Sequence, residues 1–101
     1  MTSRQQEFHN AMGDIYRRAN AECEYNPTRF LQMVSEYGGV ATAKRLLASD
    51  EPQFGFTELW ECGRLDLTVE AHVLKPEFQE LFTVEEIERA RLRLREYGYE
   101  A

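Results

Sequence analysis

Proline is scarce, with three in 101 residues, and the 43 % hydrophobic and 12 % aromatic content is too high for a disordered tail. No apolar run approaches the roughly 18 residues of a membrane span, so no membrane partner is expected. Cysteine is limited to Cys23 and Cys62, which stand 39 apart without a Cys-x-x-Cys, so no zinc framework or dithiol redox motif can be written. The two histidines, His9 and His72, do not follow a glutamate by three residues, and the Glu-x-x-His spacing of helical di-metal sites is missing. Gly-x-Ser-x-Gly, Gly-x-Gly-x-x-Gly and Gly-Lys-Ser/Thr are also missing. No cofactor or metal is implied, and no residue takes a catalytic role. The start of the chain lacks the apolar stretch of a secretion signal, so the expectation is a cytoplasmic protein with two free thiols.

Positive charge is in deficit as well. Twelve basic side chains face 18 acidic ones, for a net charge of −6. The deficit is uneven: residues 1–50 are neutral, residues 51–88 carry −8, and residues 89–101 return +2. A non-specific nucleic-acid binder or an anionic-membrane binder needs the opposite field.

What the chain does have is apolar content, 43 % with 12 % aromatic, enough for one modest core in a single domain spanning residues 1–101. Phe8, Met12, Ile15, Tyr16, Ala19 and Cys23 recur on one helical face, from an N-cap at Thr2 or Ser3 to an end near Glu24. Asn26-Pro27 restarts the chain as N-cap and first helical residue, and Phe30, Leu31, Val34 and Tyr37 continue to the Gly38-Gly39 stop. A third helix runs from about Val40 to Ala48, and residues 49–53 read as a surface loop. Phe56, Leu59 and Trp60 make a short apolar face capped by Gly63, with Trp60 expected in the core. Leu65-Asp66-Leu67-Thr68-Val69 alternates like a strand, but no partner strand exists, so a helix from about Thr68 to Leu74 is preferred. Pro76 opens another short helix, and Thr83-Val84-Glu85-Glu86 is a capping box for a last helix lined by Ile87, Ala90, Leu94 and Tyr97. The fold class is all-α, with six or seven helices and the longest ones first and last.

Two features offer a surface for a partner. Arg89, Arg91, Arg93 and Arg95 alternate along the last helix, and their plainest use is a solvated face that complements the helix dipole. On that view, neutralising Arg93 and Arg95 together leaves stability nearly unchanged. Phe54 and Phe56, with Trp60, concentrate aromatics after the loop, as interfaces do, although core packing competes for them. His72, among Ala71, Val73 and Leu74, reads as a packed histidine, and Arg64 with Asp66 as a polar corner held by a salt bridge or a cap.

Gly55 to Ala71 (GFTELWECGRLDLTVEA), together with Tyr25 to Val34, Gly38-Gly39 and Pro76-Glu77-Phe78, resembles a family of small uncharacterised bacterial proteins. The resemblance implies a bacterial or phage setting and no mechanism; an apolar residue is usual there where this chain has His72. The functional expectation is a non-enzymatic module that binds another protein, one with a basic surface. The alternative is a nucleic-acid accessory using the arginine-bearing last helix.

Overall fold

The computed structural model describes residues 3–50 and 55–100, and among them the chain is all-α. Six α-helices and two 3₁₀ segments follow in order. They are α1 (Ser3–Cys23), α2 (Thr28–Tyr37), α3 (Gly39–Ala48), α4 (Phe56–Glu61), the 3₁₀ segment Leu65–Leu67, α5 (Val69–Val73), the 3₁₀ segment Pro76–Leu81, and α6 (Val84–Glu96). Thr2, residues 51–53 of the expected loop and Phe54 lie outside the described residues.

The stripe expected on α1 is the one that is buried: Phe8, Met12, Ile15 and Ala19. It packs against α2 and α3, with Phe8 meeting Phe78 and Phe82 edge-on at 5.0 and 5.2 Å between ring centres. The α1–α3 crossing is close because Gly39 has no side chain; a Cβ there would stand 2.7 Å from the His9 Cα. The Gly39 amide, one of the first donors of α3, gives its hydrogen bond to His9 Nδ1 at 3.0 Å. His9 is thus a cap supplied from another helix, with its ring proton on Nε2.

The start of α2 falls one residue later than Asn26-Pro27 suggests, and no side chain among the described residues caps it. The alternating stretch is neither strand nor one helix. Leu65 and Leu67 are buried in a 3₁₀ turn, and Thr68 Oγ1 then accepts from the Ala71 amide at 3.1 Å to cap α5. Asp66 takes the other role, pairing with Arg64 at 3.1 Å. The capping box of α6 is complete: Thr83 Oγ1 accepts from the Glu86 amide at 3.1 Å, and Glu86 Oε1 accepts from the Thr83 amide at 2.8 Å. Lys44 of α3 donates to the same carboxylate at 2.7 Å, which ties the cap to the rest of the fold.

Two expectations are overturned. Cys23 and Cys62 are joined in a disulfide with Cα atoms 5.9 Å apart, so neither thiol is free. Ala19, Leu59 and Leu67 bury one another there and draw the ends of α1 and α4 together, so separation in sequence does not set distance. Trp60 is 44 % exposed, because Leu59 and Phe56 take the inward positions of α4. Among the described residues no helix is long and apolar enough to cross a membrane.

Candidate functional site

The four arginines of α6 separate into different environments. Arg93 is 7 % exposed and lies on the buried side, three residues after Ala90 and beside Leu94. Its Nη1 donates to Glu70 Oε2 at 2.9 Å and to the Leu46 carbonyl at 3.2 Å, and its Nη2 donates to the Ser49 carbonyl at 2.6 Å. Arg89 donates to the Leu47 carbonyl at 2.8 Å. Together they satisfy the carbonyls at the end of α3, which carry the negative pole of that helix. Arg93, expected to line a docking face, is therefore an internal brace, whereas Arg89 reaches the end of α3 from an exposed position. Arg91 remains at the surface and is paired with Glu88 at 2.6 Å, and Arg95 is exposed.

Glu70 is the residue that sequence patterning missed. It is 4 % exposed, and burial pushes its carboxyl above the ordinary range while the bond from Arg93 opposes that shift. A signal for the pair existed: on a helical wheel Arg93 falls with Ile87, Ala90 and Leu94, where a solvated charge does not belong. The wheel alone cannot name Glu70, because its partner is 23 residues away.

Phe56 is 2 % exposed and is core, not surface, since it packs against Leu65 and Leu94. Its ring meets Tyr97 edge-on at 4.9 Å, and Tyr97 in turn holds Trp60 at 5.4 Å with the planes at 79°. The three rings form a ladder from the core to solvent, so the Trp60 indole is exposed and still fixed in orientation. Glu58 and Glu61 are exposed on the same short helix, with no ion pair among the described residues. This is an aromatic anchor on an acidic helix. No group of three or more His, Cys, Asp or Glu side chains able to hold a metal occurs among the described residues.

No protein family, curated protein or solved structure matches this chain.

Proposed function

We propose that this protein is a non-catalytic binding module that docks a basic segment of another protein on the Trp60–Tyr97 patch. One observation carries the reading: the only tryptophan is held half-exposed against Tyr97, which itself packs on the buried Phe56. Trp and Tyr supply most of the anchoring energy at interfaces because they bury a large area with little loss of side-chain freedom. A lysine or arginine of the partner fits over the indole face as a cation–π pair, and Glu58 and Glu61 add long-range attraction. The −8 carried by residues 51–88 extends the same field. The resemblance of the segment around Trp60 to small bacterial proteins adds a setting and no chemistry. A nucleic-acid role is the weaker proposal, since Arg89 and Arg93 are engaged with the end of α3.

Trp60 reports on its own surface. Titration with an arginine-rich peptide should change its fluorescence in a saturable way, with affinity falling as salt is raised. Trp60→Ala, monitored by a labelled peptide, should keep the helical circular dichroism and lose binding. An unchanged emission, or full binding by Trp60→Ala, overturns the proposal.

A further inference from the structure

A concave surface lies on residues that the aromatic patch does not use. A cleft of about 470 Å³ is walled by α1, α5, α6 and the turn after α6, and it brings Arg18, Lys75 and Arg91 to one place in an acidic protein. Lys75 has no ion pair among the described residues. Arg18 and Arg91 are each steadied by one carboxylate, Glu22 at 2.7 Å and Glu88 at 2.6 Å, which leaves each guanidinium further N–H donors. Of the two acids lining the cleft, Asp66 is neutralised by Arg64 at 3.1 Å, and Glu100 is exposed at the end of the described chain. Tyr99 and Leu74 supply apolar wall.

His72 decides what kind of anion fits. It lines the cleft while only 7 % exposed, and its Nδ1–H donates to the Thr68 carbonyl at 2.8 Å. The Nε2 atom is therefore the acceptor of the neutral ring, and it has no hydrogen-bond partner among the described residues. Burial, with Lys75 and Arg18 nearby, keeps the ring below its ordinary pKa against the opposing pull of the Thr68 carbonyl and Asp66. The Nε2 lone pair repels a bare oxyanion oxygen and welcomes an O–H, while Lys75 and Arg18 nearby attract the anion's charge. We propose that this cleft binds a small oxyanion that carries a hydroxyl: hydrogen phosphate, free or as the phosphate of a hydroxylated metabolite. The arginines and Lys75 would take the charged oxygens through charge-assisted hydrogen bonds, and His72 Nε2 would accept from the hydroxyl.

The test is an NMR titration of the full chain that follows the His72 ring resonances at fixed ionic strength and neutral pH. Inorganic phosphate, a sugar phosphate and sulfate are the three probes. Phosphate and the sugar phosphate should shift His72 saturably, with sulfate weaker by about tenfold or more, because sulfate has no hydroxyl for Nε2. Tighter binding of the sugar phosphate assigns the site to an esterified ligand, and equal or tighter binding of inorganic phosphate assigns it to the free ion; both support the proposal. Lys75→Ala, an exposed change, should weaken phosphate by about tenfold with the fold intact. His72→Phe, followed on the Tyr99 ring resonances instead, should abolish the preference over sulfate. If His72→Phe does not fold, Lys75→Ala and the sulfate comparison still decide. A His72 resonance that does not move, sulfate matching phosphate, or Lys75→Ala binding like the parent overturns it.

Discussion

Arg93 on α6 and Glu70 on α5 meet 2.9 Å apart, and both are more than nine-tenths buried. The pair joins the last helix to the α5 turn, and the remaining donors of Arg93 reach the end of α3. Three elements therefore depend on one guanidinium. Removing one partner of a buried pair leaves an uncompensated charge, so Arg93→Ala should cost about 3–5 kcal/mol. Arg91→Ala, which breaks an exposed pair, should cost less than about 1 kcal/mol. Urea denaturation of both variants checks the contrast, and equal midpoints would refute the bracing role. The expectation that Arg93 and Arg95 can be neutralised without effect is reversed for Arg93.

The disulfide closes a loop between residues 39 apart, and chain-entropy arguments put its contribution at about 3–4 kcal/mol. Thiol titration of the denatured, unreduced protein should count none. Reduction, or replacing Cys23 and Cys62 by serine, should lower the denaturation midpoint. Two titratable thiols in protein purified without reductant would contradict the link.

At the start of α6, Thr83→Ala should cost about 0.5–2 kcal/mol by removing the cap. Glu86 does more than its position suggests, because it also accepts from Lys44. Burial pushes its carboxyl up, but the bonds from Lys44 and Thr83 outweigh this and leave it below its ordinary value. Glu86→Gln, which keeps an acceptor for the Thr83 amide, should be milder than Glu86→Ala. Thermal melts of the three variants test the order.

Thr42 is fully buried in α3, and its hydroxyl has no hydrogen-bond partner among the described residues. A buried hydroxyl without a partner carries its desolvation penalty unrelieved. Thr42→Val keeps the shape and removes that penalty, so stability should hold or rise by up to about 1 kcal/mol. A clear loss of stability in urea would show that the hydroxyl is satisfied.

Arg64 bridges Glu22 and Asp66. Hydrogen bonds from Arg18 and then Arg64 hold Glu22 below the ordinary carboxylate range, and the bond from Arg64 does the same for Asp66. A carboxyl lowered on folding binds fewer protons in the native state. Its stabilisation is therefore complete above its unfolded value of about 4 and is lost as pH falls through the folded one. Glu70 is shifted the other way and has the opposite slope. Stability should fall as the pH drops below about 4, less steeply in Arg64→Gln, where the Glu70 contribution is unchanged and cancels in the comparison. Parallel acid limbs for the two proteins would refute the bridge.

The sequence by itself determined what rests on neighbours along the chain. The α1 stripe from Phe8 to Ala19, the Thr83–Glu86 box and the rejection of a lone strand at residues 65–69 follow from 3.6-residue periodicity, orphan amides at a helix start and the need for a strand partner. Only the tertiary structure decided whatever joins distant segments. Arg93 and Glu70 are ordinary polar residues until α5 and α6 pack, and Cys23 and Cys62 are two isolated thiols until α1 and α4 converge on Leu59 and Leu67. Trp60 illustrates the same limit from the apolar side. Its hydrophobicity argues for the core, but a six-residue helix has room for few inward positions, and Phe56 and Leu59 fill them. The indole is left outside against Tyr97, since burial depends on which face of α4 the rest of the fold covers and not on the residue's own affinity for water.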